Sequence, residues 1–249
     1  MKQRADLLLV ARGLFDSRAK ARAAIEAGGV TADGRPVTRA AELIGLDAEI
    51  VAAPAHPWVG RGGLKLAHAF KLWEIEVVGK TVVDVGASTG GFTQVCLEAG
   101  AARVFAVDVG RGQLHPSLAV DSRVTNLEAT DARALTRALV PAPIHLVVSD
   151  VSFIGLAKAL PAALELAEAG AVLVCLVKPQ FEAGPGVVGK GGIIKDLAVR
   201  RGALERVVGW LNLEGWTVQA TADSPIVGGD GNHEFLLWAV KRRWTSHVI

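Results

Sequence analysis

Two lysines and two carboxylates, Lys65, Asp150, Lys178 and Glu234, stand on four separate motifs of this 249-residue chain: RGGLKL, HLVVSD, AVLVCLVKP and GNHEF. Ammonium and carboxylate groups brought together can orient a hydroxyl and take its proton. Asp150 and Lys178 each end what reads as a buried strand. In an open α/β sheet, ligands bind in the crevice outside the carboxyl ends of the strands, so both side chains are expected in one cleft. Upstream, VVDVGASTGGFT reads as a strand, a glycine-rich turn and a helix. The expectation is a cofactor on a glycine loop beside a charged tetrad that acts on a hydroxyl.

The glycine turn is Gly86-Ala87-Ser88-Thr89-Gly90-Gly91. Ser88 stands where a dinucleotide fingerprint has its second glycine, and no GK[ST] follows, so neither a GxGxxG nor a Walker A phosphate loop is formed. Asp108 ends the next strand, VFAVDVG, where a carboxylate suits the two ribose hydroxyls of a nucleoside. Dinucleotides and S-adenosylmethionine would both use it. Asp84 and the loop fit the methionine part of S-adenosylmethionine better, because its ammonium and sulfonium seek carboxylate and carbonyl groups rather than a phosphate cradle.

These groups must be positioned by a sheet. Strand-like and helical stretches alternate after residue 60: KTVVDVG, then TGGFTQVCLEAG; ARVFAVDVG; HLVVSD, then FIGLAKALPAALELAEAG; AVLVCLVKP; then IIKDLAVRRGALERVVGWLN. Continuous rather than alternating apolar runs indicate parallel strands covered on both faces. GWTVQATADSP and HEFLLWAVKR are two late strands that close the sheet. The fold class is α/β, a doubly wound Rossmann-like sheet preceded by a small α+β domain.

The chain divides near HPWVGRGG, giving residues 1–53 as the first domain, 54–60 as a linker marked by Pro54 and Pro57, and 61–249 as the second. In the first, ADLLLVARG reads as a helix. SRAKARAAIEAGG reads as a second helix, capped by Asp16 or Ser17 and ended by a glycine pair. Asp33-Gly34 within VTADGRPV is a hairpin signal, and AEIVAAP is a short last strand. Six basic residues between Lys2 and Arg22 oppose only Asp6 and Asp16, although the net charge of the whole chain is just +2.

Composition narrows the function classes. Half the residues (51%) are hydrophobic, enough for a sizeable core. The longest apolar run is far short of the roughly 20 residues a spanning helix needs. The amino terminus lacks a small-residue cleavage site, so a soluble cytoplasmic protein is expected. Cys96 and Cys175 stand singly in apolar segments and read as buried core thiols. His115, His145 and His233 show no partner pattern. No metal is expected.

The first 50 residues resemble the S4-type RNA-binding domain of ribosomal proteins and RNA-modifying enzymes, through LLLVARGLFDSRAKARAAIEAGGVTADGRPV. The resemblance implies that Ser17, Arg18, Lys20, Arg22 and Arg35 contact RNA phosphates, giving affinity with strong salt dependence rather than base reading. The basic stretch Lys241-Arg242-Arg243 is the rival grip on RNA.

Nearly the whole chain resembles the TlyA family of ribosomal RNA 2′-O-methyltransferases, whose catalytic domain is similar to the FtsJ (RrmJ) type; members have also been labelled hemolysins. RGGLKL, DVGASTGGFT, VDVGRGQL, SDVSFI, LVKPQFEAG and GNHEFLLW carry the match, and PWVGRGG places Trp58 and Val59 in the family's linker. The family's Lys-Asp-Lys-Glu tetrad falls on Lys65, Asp150, Lys178 and Glu234. The resemblance implies S-adenosyl-L-methionine as cofactor, held by Asp84, Gly86, Ser88, Thr89, Gly90, Phe92, Asp108 and Asp131, with ribosomal RNA or ribosomal subunits as partner.

A ribose hydroxyl is a poor nucleophile until it begins to lose its proton, whereas a sulfonium methyl is already activated. The enzyme then needs in-line positioning and a proton acceptor. Lys178 is the expected base, because a neighbouring ammonium at Lys65 disfavours a second one; Asp150 and Glu234 orient the lysines and the hydroxyl. The expected reaction is 2′-O-methylation of a cytidine in ribosomal RNA. The resemblance favours large-subunit RNA over small, because the family's shorter-ended members are associated with the large-subunit target only, and here few residues follow Glu234 and the amino-terminal arm is brief. The alternatives are a membrane-active hemolysin, disfavoured by the lack of a spanning segment, and a non-catalytic ribosome-assembly factor, disfavoured by the intact tetrad.

Overall fold

The computed structural model describes residues 1–184 and 192–243, and the chain forms two compact units, residues 1–57 and 58–249. The first unit runs β1 (Lys2–Arg4), α1 (Ala5–Ala11), α2 (Arg18–Glu26), β2 (Val30–Ala32), β3 (Arg35–Pro36), β4 (Leu43–Gly45) and β5 (Ile50–Ala52). Ser17 caps α2, its hydroxyl accepting from the Lys20 amide at 3.3 Å, so of the two expected caps the serine is the one used. Ala21, Ala24 and Ile25 on α2 pack with Leu8 and Leu9 of α1 as one core. Asp33 and Gly34 both have positive φ (49° and 72°) and turn β2 back onto β3, with Ala32 opposite Arg35. This is the hairpin the Asp-Gly pair announced. β1 and β4, which pair antiparallel, carry no alternating pattern long enough to be read beforehand.

The second unit runs α3 (Gly62–Leu72), β6 (Thr81–Val85), α4 (Gly91–Glu98), β7 (Arg103–Val107), α5 (Pro116–Ala119), β8 (Val124–Leu127), a 3-10 turn (Ala132–Ala134) and β9 (Ile144–Ser149). It continues with α6 (Leu156–Ala159), α7 (Pro161–Leu166), β10 (Ala167–Val177), α8 (Pro179–Glu182), α9 (Leu197–Leu213), β11 (Trp216–Asp223) and β12 (Phe235–Lys241). The seven strands lie in the order β11-β12-β10-β9-β6-β7-β8, parallel except for the pairings of β12 with β10 and β11. Alternate residues of one strand feed opposite faces: Val83 and Val85 of β6 join the core under α6, α7 and α9, while Val82 joins the core under α3 and α4. Burial on both faces is why these strands read as unbroken apolar runs.

One stretch differs from its reading. FIGLAKALPAALELAEAG was expected to be a single helical stretch, but it forms α6 and α7 and then passes into β10 at Ala167. Pro161 has no amide to donate and so begins a new helix rather than continuing the old one. Gly170 takes φ +82° inside a register shift of the β9–β10 ladder, which lets the strand begin early.

Candidate active site

The cleft forms at the carboxyl ends of β6, β7, β9 and β10, with the glycine loop at its floor. Gly86 has φ +85°, and a Cβ there would lie 3.0–3.2 Å from Val151, backbone included, so only glycine lets the loop approach the β9 end. Ser88 also holds a positive φ of 47°, and its amide donates to Asp108 Oδ2 at 2.8 Å. Asp108 Oδ1 accepts from the Gly110 amide at 2.7 Å. A carboxylate oxygen carries two acceptor sites, so each oxygen of Asp108 keeps one for a ligand.

Two cavities adjoin along this loop. One, of about 370 Å³, is walled by Gly86, Ser88, Asp108, Asp131 and Phe153 among others. The second, of about 200 Å³, is walled by Arg61, Thr89, Phe92 and Lys178 among others. They share Gly86, Ser88, Asp150 and Ser152. Asp131 caps the 3-10 turn through the Arg133 amide, and the Arg133 guanidinium beside it holds its carboxyl down at about 2.

Asp84 and Gly90, expected among the cofactor contacts, line neither cavity. Asp84 is fully buried beneath the loop, where its Oδ2 accepts from Thr93 Oγ1 at 2.7 Å. Burial pushes its carboxyl up to about 7, against the hydrogen bond from Thr93, and its Oδ1 has no partner. Gly90, at φ +93°, backs onto Leu114 and Leu118, where a Cβ would come within 2.8 Å of both. Both residues sit where the loop is shaped rather than where it is exposed.

The four charged residues form two ion pairs. Lys178 Nζ lies 2.6 Å from Asp150 Oδ1, and Lys65 Nζ lies 2.5 Å from Glu234 Oε2. Lys65, Lys178 and Glu234 are buried, and Asp150 is the most exposed of the four, 20% by side chain. Lys65 comes from the first turns of α3; Asp150 and Lys178 follow β9 and β10, and Glu234 precedes β12. β9 and β10 are parallel neighbours, so the expectation of one shared cleft for their two terminal residues holds.

Three polar or aromatic residues here were not singled out from the sequence. Ser152 Oγ accepts from Lys178 Nζ at 2.8 Å and lines both cavities. Phe153 holds φ +66° and is 91% exposed at the first cavity, an uncommon conformation for a bulky residue. Asn232 is buried: its Oδ1 accepts from the Ile194 amide at 2.9 Å and its Nδ2 donates to the Gly192 carbonyl at 2.8 Å, which fixes the loop leading into Glu234. All three lie within motifs quoted above, yet nothing local marks their partners.

In the first unit, Arg18 donates to buried Asp6 (2.9 Å), as does Arg4 (3.0 Å). Lys20 pairs with Asp16 and Arg22 with Glu26, both one helical turn away and exposed, and Arg35 is exposed on β3. Arg18, Lys20 and Arg22 therefore share α2, which Ser17 caps, and Arg35 stands on the hairpin. Of the rival basic stretch, Lys241 donates to the carbonyls of Leu164, Glu165 and Ala167, and Arg242 to that of Asn212, so both serve the backbone of the second unit.

Residues 58–241 match the FtsJ-like methyltransferase family and residues 3–50 the S4 domain. The 16S/23S rRNA (cytidine-2′-O)-methyltransferase TlyA of Mycobacterium tuberculosis is 44% identical over 239 residues, 95% of this chain and 89% of that protein. The chain belongs to the TlyA family of FtsJ-like methyltransferases. Hemolysin A of Brachyspira hyodysenteriae is 38% identical over 94% of this chain and 98% of its own. Among solved structures, a candidate hemolysin from Streptococcus thermophilus superposes with a TM-score of 0.76 at 37% identity, covering 97% of this chain and 89% of that one. The catalytic unit of this TlyA-family chain has the fold of S-adenosylmethionine-dependent methyltransferases. Among the described residues, no helix is long and apolar enough to cross a membrane.

Proposed function

We propose that this protein methylates the ribose 2′-hydroxyl of a cytidine in ribosomal RNA, with S-adenosyl-L-methionine as the methyl donor. The observation that carries the reading is the contact between Lys178 and Asp150, which both line the smaller cavity while Asp150 also lines the larger one. The named activity of the mycobacterial relative supports the substrate class.

The residues present fit the cofactor. Asp108 has an acceptor site left on each oxygen for two ribose hydroxyls. Asp131, on the same cavity, would accept from the amino group of the adenine. Gly86 leaves no room for a side chain where the loop would meet the ligand, and Ser88, Thr89 and Phe92 would line its methionine end. Asp84 and Gly90 would shape the loop from behind. When bound, the cofactor supplies a methyl group activated on a sulfonium.

Lys178 is the assigned base. It would take the 2′-hydroxyl proton as the oxygen receives the methyl group, the methyl–sulfur bond breaking to leave a neutral thioether, and Asp150, 2.6 Å away, would offset the charge on the lysine. Lys65 and Glu234 hold each other and line neither cavity, so Glu234 would act by orienting Lys65. Residues 1–53 would bind RNA backbone through Ser17, Arg18, Lys20, Arg22 and Arg35, residues 54–60 would link the domains, and residues 61–249 would catalyse. No step requires a metal.

Free ribosomal RNA and intact subunits incubated with the enzyme and methyl-labelled cofactor should gain a 2′-O-methyl mark at a cytidine, read by mapping alkali-resistant positions. Large and small subunits are separate arms of the experiment. Methyl groups found only on bases, or none at all, would sink the proposal.

A further inference from the structure

Helix α6 starts at Gly155, which has no side chain to cap it. The Leu156 amide instead donates to Glu182 Oε1 at 2.8 Å, from the far side of 26 residues. Glu182 is the last residue of α8, and α8 begins immediately after Lys178. The Glu182 carboxyl is half-buried and raised above its ordinary range by that burial. A Cβ at Gly155 would lie 3.1 Å from Glu182 Oε2 and 3.3 Å from the Phe181 carbonyl oxygen. The space a local capping side chain needs is thus crowded by α8. Arg206 of α9 donates to the Glu182 carbonyl at 3.3 and 3.4 Å, which steadies this end of α8.

The two segments meet at four places. Lys178 touches Asp150 and Ser152; the Phe181 ring lies 5.3 Å from that of Phe153; and Glu182 holds the Leu156 amide. Between them sits Phe153 at φ +66°. Such a backbone persists only where its surroundings over-determine it. Glu182 lines neither cavity, so any effect on the reaction passes through the residues it holds.

We infer that Glu182 is a positioning residue, a cap supplied from α8 that holds residues 150–155 against Lys178 and so sets where Asp150 and Ser152 meet the base. This rests on the catalytic reading of those residues given above. The geometry also explains why a glycine stands at the start of α6: the cap is long-range because it ties together the two walls that carry the reacting groups.

The test compares Glu182→Ala with Glu182→Gln, which keeps an oxygen acceptor for the Leu156 amide. At saturating RNA and cofactor, the alanine variant should lose about 10- to 100-fold in turnover with an RNA KM changed no more than about threefold, the pattern of groups misplaced by about 1 Å. The glutamine variant should recover most of that loss. Equal losses in both variants, or an alanine variant that melts lower yet turns over normally, would overturn the inference. Glu182→Leu keeps the volume without the acceptor and carries the test if the alanine variant does not fold. Amide exchange at Leu156 gives a readout independent of activity: it should accelerate in Glu182→Ala and Glu182→Leu but not in Glu182→Gln, and unchanged protection would overturn the latch. If the wild-type enzyme transfers no methyl to ribose, the functional reading fails while the exchange data still decide the contact.

Discussion

Lys178 and Glu234 each stand one residue beyond the pair that ends the β10–β12 ladder, yet each takes its counter-ion from elsewhere. Val177 pairs with Phe235 at the end of the antiparallel ladder, and Lys178 and Glu234 are the next residues beyond it. Lys178 nevertheless contacts Asp150 at the end of β9, and Glu234 contacts Lys65 on α3. Two ion pairs thereby tie β10 to β9 and β12 to α3 at their ends, and each of the four charges has an opposite charge against it. Burial of such groups is tolerable only when they are paired.

Breaking one pair should therefore cost stability as well as activity. Glu234→Gln leaves Lys65 buried without its counter-charge, and removing one partner of a buried pair costs about 3–5 kcal/mol. The double variant Lys65→Met with Glu234→Leu should regain most of that stability, because matched apolar replacements of a buried pair are often neutral. It should remain inactive. Thermal melts and methyl-transfer assays on the three proteins separate the two effects, and an active double variant would remove this pair from the mechanism.

Lys178→Ala should abolish methyl transfer and leave cofactor affinity nearly intact, since its contacts are to Asp150 and Ser152 rather than to Asp108 or Asp131. Single-turnover assays with preformed enzyme–RNA complex read the chemical step directly. Turnover like the wild type would mean that another group takes the proton.

Asp108→Ala should do the reverse. Hydrogen bonds to a charged group contribute roughly 1.5–3 kcal/mol each, so losing those to a ribose should weaken cofactor binding at least tenfold by calorimetry. The substitution also releases the Ser88 and Gly110 amides, and Asp108→Asn, which can satisfy one of them, should fall between. Unchanged affinity in the alanine variant would place the ribose elsewhere.

The charged residues at strand ends were legible in the sequence because position along a strand is a local property. HLVVSD and AVLVCLVKP each announce where the chain leaves the sheet, and parallel pairing puts those exits side by side. What was not legible depends on partners distant in the chain. Ser152 becomes notable only because Lys178 reaches it, and Asn232 only because residues 192–194 fold back onto it. Helix α3 was hidden because RGGLKL opens with two glycines, poor helix formers; a Cβ at Gly63 would come within 2.4 Å of the Trp58 ring, so close packing outweighs propensity there. Asp84 was read as a wall of the cofactor site because its position in the strand is right, but strand alternation turns it toward Thr93 on α4 instead.

Asp84 makes stability depend on pH. Its folded value of about 7 stands above the ordinary 3.8, so between those values the folded protein holds a proton that the unfolded chain has released. The contribution is complete below the unfolded value and is lost as pH rises through about 7. Asp84→Asn removes this titration. The melting temperature of the wild type relative to Asp84→Asn should therefore fall from pH 5 to pH 8; parallel curves would show that the buried carboxyl does not titrate in this range.

The amino-terminal cations call for two different substitutions, because they are not equivalent. Arg18 shares buried Asp6 with Arg4, and the Arg4 and Arg18 guanidinium groups hold that carboxyl down at about 2. Arg18→Ala therefore strips a partner from a buried charge and should lower the stability of the first unit whatever its role toward RNA. Lys20 and Arg22, in exposed pairs one helical turn long, and exposed Arg35 can be replaced at little structural cost, since exposed pairs contribute little to stability. If they track phosphates, the triple alanine variant should bind ribosomal RNA more weakly, and its log–log salt slope should drop by about one unit per lost contact. The loss should be similar across RNA sequences, because phosphate contacts carry no base information. Cofactor affinity should not change, as every proposed cofactor contact lies in the other unit. A triple variant with the wild-type affinity and salt slope would mean that α2 and the hairpin present a solvated face rather than an RNA-binding one.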